Sequence, residues 1–229
     1  MDFDEAYFKD RQKSGFERTK MYQKDFNYSV KSIKKLKPTG KISILDIGCA
    51  DGEFTERFSK IANLYGVEIN LQEANKASLK GIKIVNIQDL DLVKPDVIIL
   101  RGTLQHISPE DFFHVLSYRP KMLILLQTPN PKSFVYRILN QSQISLLTPH
   151  EGFNGNLNLI SLKQLKKIVK NDKYTITRIS KPYFSTPYCN PIRDLTQLIL
   201  CFFNRKLSYA SSWKGNIYRM TIIGDVAVD

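Results

Sequence analysis

The chain has 229 residues, of which 42% are hydrophobic and 24% are charged, a composition typical of a soluble globular domain. This length predicts one α/β domain. No apolar run is long enough to span a membrane, and the acidic N-terminus lacks the apolar core of a secretory signal. Three cysteines and no C-x-x-C pair favour a cytoplasmic location without a disulfide framework, and no metal site is expected.

The formal charge of +12 has two interpretations. It reflects either lysine-rich solvated faces or an anionic partner such as nucleic acid, a membrane face or a phosphorylated glycan. The charge is uneven, because Asp172 and Asp194 are the only acids between Ser161 and Arg219. This asymmetry favours a basic face in the C-terminal half.

The first 40 residues predict a helical preface. Apolar and aromatic spacing indicates two amphipathic helices that are separated at Ser14-Gly15. Pro38, Thr39 and Gly40 then close the preface before the first strand.

The stretch from Ile42 to Phe58 predicts a buried strand, a glycine turn and the start of a helix at Glu53, with Phe54, Phe58 and Ile61 on its buried face. Free N–H groups at such a turn point into the crevice at the strand ends, which suits an adenosine-containing cofactor. A dinucleotide is disfavoured, because Ala50 and Glu53 replace the second and third glycines of G-x-G-x-x-G. Glu53 would also repel a pyrophosphate.

The segment Asp46-Ile-Gly-Cys-Ala-Asp-Gly52 resembles the first signature of class I S-adenosylmethionine-dependent methyltransferases, D/E-x-G-x-G-x-G, with Ala50 as a departure. The resemblance implies a doubly wound, seven-stranded, mostly parallel sheet of the Rossmann-like type. It also implies S-adenosylmethionine as the cofactor. The implied cofactor contacts in this loop are Asp46, Gly48, Cys49, Ala50 and Gly52.

The second and third strands predict the nucleoside end of the site. Glu68 ends the second strand, where its carboxylate can accept both ribose hydroxyls, and Ile69 follows it. The third strand is predicted from Ile82 to Ile87. The resemblance implies that Asp89 accepts from the adenine amino group and that Leu90 meets the ring through its backbone; Asn86 and Gln88 are the alternatives to Asp89.

The fourth strand, Pro95 to Leu100, is followed by Arg101 and Gly102, which are predicted to lie at the cofactor. His106 lies in the same loop and is interpreted as a general base, as a pocket wall or as a loop histidine bonded to backbone. The fifth strand is predicted from Lys121 to Gln127. Adenine N-methylation is disfavoured, because the N-P-P-Y/F motif is missing after the fourth strand.

His150, in a polar glycine-bearing loop, is the second candidate for a base, and the resemblance suggests that Arg18 pairs with the cofactor carboxylate. A helix from Leu162 to Val169 and a sixth strand from Tyr174 to Ile179 follow. The seventh strand, from Asn216 to Ile223, is expected to be antiparallel and to lie at the sheet edge.

These elements divide the domain into a preface (1–40), a cofactor-binding core (41–180), an insert or lid (181–214) and a last strand with a tail (215–229). The insert is rich in aromatic residues and prolines. Its apolar stretch 195–203 has three interpretations: core packing, a peripheral membrane contact or a dimer interface.

Three functional hypotheses follow. The first is methyl transfer from S-adenosylmethionine to a hydroxyl of a small molecule or glycan. The second is an RNA methyltransferase that uses the basic C-terminal face. The third is a cofactor-binding subunit without activity of its own, which the Ala50 departure allows.

Overall fold

The computed structural model describes residues 15–129, 162–171, 174–179 and 217–224. The helices in these ranges are α1 (Gly15–Ile33), α2 (Leu71–Leu79), α3 (Leu90–Val93), α4 (Pro109–Ser117) and α5 (Leu162–Asn171). The strands are β1 (Ile42–Ile47), β2 (Ala62–Val67), β3 (Lys83–Ile84), β4 (Val97–Arg101), β5 (Met122–Pro129), β6 (Tyr174–Ile179) and β7 (Ile217–Gly224). None of the described helices is long and apolar enough to cross a membrane.

The strands form one sheet in the order β3-β2-β1-β4-β5-β7-β6. Strands β1 to β5 run parallel, and β7 is antiparallel to both of its neighbours, β5 and β6. The predicted seven-stranded, mostly parallel Rossmann-like sheet with an N-terminal helix is therefore confirmed. The expectation that β7 lies at the edge was wrong: Met220 and Ile222 of β7 are completely buried, and β6 is the edge strand.

Two predicted elements are shorter than expected. The helix after the glycine turn is a single 3₁₀ turn, Thr55–Phe58, because β2 already begins at Ala62. Ile61 is consequently 39% exposed instead of packing in the core. The third strand covers only Lys83–Ile84, and the chain turns through a 3₁₀ helix at Ile87–Asp89.

Alternate side chains of the central strands supply two separate cores, as expected for a sheet covered on both faces. Ile44 and Ile99 belong to the core under α1, which we call the α1 face. Leu45 and Leu100 belong to the core under α4 and α5 on the opposite face. Asp46 and Arg101, each two residues beyond one of the α1-face residues, therefore fall on the α1 face at the carboxyl ends of β1 and β4.

Helix α1 runs against β5 and β7 in the opposite direction to β5. Near its end, Ser32 shares a 2.8 Å hydrogen bond with Thr221, which pairs with Ile124 in the middle of the sheet. Seven residues earlier in α1, Asp25 bonds to Gln127 at the carboxyl end of β5. The start of α1 therefore lies over the edge of the sheet where the strands end, which is the edge where open α/β sheets bind ligands.

At the amino edge, Asp96 connects the starts of β1, β4 and β5. Its Oδ2 accepts from the backbone N–H of Ser43 at 2.9 Å and from the Ser43 hydroxyl at 3.0 Å. Its Oδ1 lies 2.8 Å from Nζ of Lys121. Burial alone would raise the pKa of Asp96, but these contacts with Lys121 and Ser43 outweigh it and hold the pKa below its ordinary value.

We expect Asp96→Asn to lower the free energy of unfolding by about 1 kcal/mol near neutral pH. Because the pKa of Asp96 is lower in the folded chain, its contribution is complete above the unfolded pKa of 3.8 and is lost as pH falls through the folded value. Urea unfolding of wild type and variant should thus give stabilities that converge below pH 3.8. Asp91→Asn, at an exposed site, is the control; a gap that stays constant with pH would contradict the assignment.

Candidate active site

The loop after β1 folds back onto β2 through backbone hydrogen bonds. The N–H groups of Gly48 and Cys49 both donate to the carbonyl of Val67, at 2.8 and 3.2 Å. Gly48 has a φ of +78°, and a Cβ placed there would lie 2.5 Å from Oγ1 of Thr103. Only glycine fits this position, so the sequence signature reflects close packing between the β1 loop and the loop after β4.

Ala50 occupies the position of the missing glycine with a left-handed φ of +50°, a conformation that costs a non-glycine residue about 1 kcal/mol. Its N–H donates to Oε2 of Glu68 at 2.9 Å. The loop therefore keeps the glycine-like conformation despite the added methyl group.

Glu68 lies directly beyond β2 and is partly buried. Its Oε2 accepts from Ala50 as described, and its Oε1 accepts from the N–H of Asn70 at 2.9 Å. Asn70 in turn caps α2 by accepting from the N–H groups of Gln72 and Glu73. The carboxylate is thus fixed between the loop and the helix, and each oxygen keeps a further lone pair for a ligand hydroxyl.

Asp46, at the end of β1, and Cys49, in the loop, are both buried. Oδ2 of Asp46 accepts from the Thr55 hydroxyl at 2.5 Å, which joins β1 to the 3₁₀ turn. Burial raises the pKa of the Cys49 thiol far above its ordinary value, and the carboxylates of Asp46 and Glu68 add to the effect. The thiol therefore stays protonated and is not a nucleophile.

The predicted adenine contacts divide into exposed and buried residues. Ile69 is 65% exposed beside Glu68, and Asp89 is exposed at the end of the 3₁₀ turn, where it accepts from the Asn86 amide at 3.2 Å. Leu90 is fully buried in the core, so only its backbone could contact a ligand.

The loop after β4 begins with Gly102, whose φ is +65° and whose N–H donates to the carbonyl of Leu126 at 2.9 Å. The Gln105 amide nitrogen donates to the Gly102 carbonyl at 2.7 Å and lies 3.2 Å from Nε2 of His106. The amide nitrogen can only donate, and the role of the His106 ring nitrogen in this contact depends on the tautomer of the ring.

A buried ion cluster, which sequence reasoning missed, lies under α1 at the ends of β4, β5 and β7. Asp25 is completely buried. Its Oδ1 accepts from Nε of Arg219 at 2.6 Å. Its Oδ2 accepts from Nε of Arg101 at 3.1 Å and from the Gln127 amide at 2.8 Å. The spacing of Tyr22, Asp25 and Phe26 on one side of α1 was the available signal, because it places an acid on an apolar helix face.

The guanidinium group of Arg101 also contacts two aromatic rings. Its guanidinium carbon lies 3.9 Å from the ring centre of Tyr22 and 5.1 Å from that of Phe54, within the range of cation–π attraction. Arg101, predicted to bind the cofactor, therefore lies at the carboxyl edge with its side chain turned towards α1.

The structure brings together most of the predicted site. Gly48, Ala50 and Glu68 are joined by the loop hydrogen bonds, and Gly102 follows directly from Arg101 across the same edge. The backbone of Arg18 lies in α1, but its side chain is outside the described residues. His150, the insert 181–214 and the stretch 195–203 also lie outside them. In the described ranges, no group of three or more His, Cys, Asp or Glu could hold a metal ion.

The sheet order and the loop after β1 define a class I S-adenosylmethionine-dependent methyltransferase, and S-adenosylmethionine is the cofactor of this class. Residues 21–178 match the family model described as a methyltransferase domain, and the chain belongs to that family. The predicted enzyme class is therefore confirmed. No curated protein matches the sequence.

Solved structures share the fold at low sequence identity. A methyltransferase from Archaeoglobus fulgidus is 16% identical over 96% of this chain and 100% of its own, with a TM-score of 0.61. Magnesium protoporphyrin IX methyltransferase from Synechocystis, with bound S-adenosylhomocysteine, is 16% identical over 90% and 84%, with a TM-score of 0.55. The plantazolicin methyltransferase BpumL is 16% identical over 95% and 88%, with a TM-score of 0.56.

We expect Asp25→Asn to lower the free energy of unfolding by about 3–5 kcal/mol, because it removes the buried carboxylate that Arg101 and Arg219 share. Urea unfolding followed by circular dichroism measures the loss. The exposed Asp91→Asn should stay within about 0.5 kcal/mol of wild type. A loss below about 1 kcal/mol for Asp25→Asn would show that water or movement neutralises the cluster.

Proposed function

We propose that this enzyme methylates a hydroxyl group of a small molecule or glycan. The main support is the arrangement of side chains at the carboxyl ends of the strands. The Glu68 carboxylate is fixed after β2, where a nucleoside would bind. His106 lies after β4, in contact with the Gln105 amide. Such an edge suits an enclosed acceptor next to the cofactor.

The residues present fit S-adenosylmethionine. Glu68 keeps lone pairs for the two ribose hydroxyls, and the left-handed conformations of Gly48 and Gly52 hold the loop beside it. Ile69 offers an exposed apolar side chain for one face of the adenine ring. Asp89, or the neighbouring Asn86, is available to the adenine amino group. Cys49 and Ala50 form part of the loop, and Asp46 precedes it and bonds to Thr55.

When bound, the cofactor supplies an electrophilic methyl group on a sulfonium, and the electron pair of the broken carbon–sulfur bond returns to sulfur. The protein therefore needs mainly to hold the two reactants in line and to exclude water. His106 acts as the general base that accepts the hydroxyl proton. The acceptor hydroxyl would replace the contact between its Nε2 and the Gln105 amide. His150 is the second candidate for this role.

RNA is the alternative acceptor. The observation in its favour is helix α5, which exposes Lys163, Lys166, Lys167 and Lys170. Binding through this surface would weaken steeply with salt, whereas a small acceptor in an enclosed site would respond little. A cofactor-binding subunit without activity is the remaining possibility.

Calorimetric titration of S-adenosylhomocysteine tests the cofactor site. We expect micromolar binding to wild type and at least about tenfold weaker binding to Glu68→Gln, because a glutamine offers one acceptor oxygen where the carboxylate offers two. Glu73→Gln, a nearby buried glutamate bonded to Lys76, should bind as wild type does.

A 2′-deoxy analogue of S-adenosylhomocysteine separates a ribose contact from support of the loop. Wild type should bind the analogue more weakly than the parent compound, and Glu68→Gln should lose this preference. Equal preference in both proteins would mean that Glu68 only holds Ala50 and the loop.

The acceptor hypothesis is tested with cofactor that is labelled in its methyl group. Labelled product should form from a panel of hydroxylated small molecules and glycans, and His106→Gln should lower kcat by about 10²-fold or more with little change in KM. Transfer only to RNA would select the alternative acceptor, and binding of the cofactor without any transfer would select the inactive subunit.

A further inference from the structure

A recess opens at the amino edge of the sheet, at the other end of the strands from the candidate active site. Strand β1, whose residues Ile42–Ile47 span about 20 Å, separates the two edges. The recess has a volume of about 380 Å³, and its apolar wall includes Ile33, Ile42 and Ile61. Ile61, which the sequence predicted to be in the core, is 39% exposed here. Apolar surface that is open to water in a recess favours a ligand that covers it.

Three lysines also line the recess: Lys34, Lys41 and Lys60. All three are exposed. None of the described residues that line the recess is acidic or aromatic. Lysine side chains can lay their apolar stems along such a wall and keep their ammonium groups in water. An aliphatic recess surrounded by ammonium groups is complementary to an anion that carries an apolar chain.

The amino edge around the recess is basic as well. It is formed by residues 33–43, 58–63, 94–97 and 119–123, which we call the amino-edge surface. These segments contain eight Lys or Arg, all of them exposed, and one acid. The acid is Asp96, which already contacts Lys121 and Ser43. Charge patterning along the sequence did not reveal this surface, because four separate segments contribute to it.

The side chains of this surface favour a lipid bilayer over RNA as the partner. Proteins bind single-stranded nucleic acid through aromatic side chains that stack on the bases as well as through cations, and the described lining of the recess is aliphatic. Clusters of Lys and Arg of this size are attracted to anionic lipid headgroups. The aliphatic recess adds a site for the apolar part of a lipid, which a phosphate backbone would leave empty.

We propose that the amino-edge surface docks the enzyme on membranes that contain anionic phospholipids. The exposed lysines contact the headgroup phosphates, and the recess beside Ile61 takes the apolar part of one lipid. The carboxyl edge, with Glu68 and His106, then faces away from the membrane, so the cofactor and the acceptor enter from the aqueous side. This inference concerns a face that the proposed reaction does not use, and it does not depend on that reaction.

Co-sedimentation of the full-length protein with vesicles tests the docking. One set of vesicles contains phosphatidylserine mixed into phosphatidylcholine, and the other contains phosphatidylcholine alone. We expect saturable binding to the anionic vesicles and none to the neutral ones. Raising the ionic strength from about 0.1 M to about 1 M should weaken the binding at least tenfold, because salt screens exposed charges.

Two double variants with the same loss of charge locate the surface. Lys41→Gln/Lys60→Gln should weaken vesicle binding about 25-fold, because each lysine close to an anionic membrane contributes about fivefold. The control is Lys24→Gln/Lys163→Gln. Lys24 is exposed on α1 next to Asp25, and Lys163 is exposed on α5 across the sheet from the recess. The control should bind within about threefold of wild type, since charges more than about 10 Å from the membrane are screened.

Ile61→Gln tests the recess separately from the charge. It should weaken vesicle binding about fivefold, because an amide replaces apolar surface that would contact the lipid. Leu71→Gln, which changes a 79% exposed leucine directly after Asn70 at the carboxyl edge, should bind as wild type does. Unchanged binding of Ile61→Gln would overturn the role given to the recess.

The remaining outcomes decide the partner and the orientation. Failure of wild type to bind anionic vesicles, or equal losses in the two double variants, overturns the docking surface. If Lys41→Gln/Lys60→Gln weakens binding of a single-stranded RNA oligonucleotide and wild type ignores vesicles, the surface belongs to nucleic acid instead. In calorimetry, S-adenosylhomocysteine should bind equally well with and without anionic vesicles. Loss of that binding on vesicles alone would show that the carboxyl edge faces the membrane and would overturn the proposed orientation.

Discussion

The buried carboxylate of Asp25 is the contact on which the carboxyl edge of the sheet depends. It joins α1 to the ends of three strands through Arg101, Gln127 and Arg219. Without α1, Arg101 and Arg219 would lose the buried carboxylate that they share, which is strongly unfavourable. Docking of the helix and assembly of the edge are therefore one event. The same contact fixes the orientation of Arg101, so this part of the candidate site depends on a helix that precedes the sheet in the sequence.

The conformation of the loop after β1 and of the end of β2 could be predicted from sequence because its determinants are local. The glycine at position 48 is required by a left-handed turn and by the side chain of Thr103, and these demands leave a visible signature. Glu68 was recognisable because it directly follows an apolar strand, and Asn70 because its side chain caps the next helix. In each case a few consecutive residues carry both the backbone conformation and the chemistry.

The buried ion cluster around Asp25 could not be predicted in the same way. Arg101 and Arg219 are separated from Asp25 by 76 and 194 residues, and no local pattern specifies such pairs. The lengths of the short elements were also missed, for a related reason. Apolar spacing after Glu53 indicated a helix, but the distance to the start of β2 allowed only one 3₁₀ turn. The position of β7 between β5 and β6 depends on burial of Met220 and Ile222 by both neighbours, which alternation along one strand does not reveal.

The central placement of β7 has a consequence for synthesis of the chain. A ribosome releases β7 after every other described strand, so β5 keeps an open edge and β6 has no neighbour until the last described residues emerge. Arg219 reaches Asp25 only at that moment. A prematurely terminated chain would thus expose two unpaired strand edges, which are recognised features of aggregation-prone species and chaperone clients. Closure of the sheet therefore waits for β7, the last of the described strands to be synthesised.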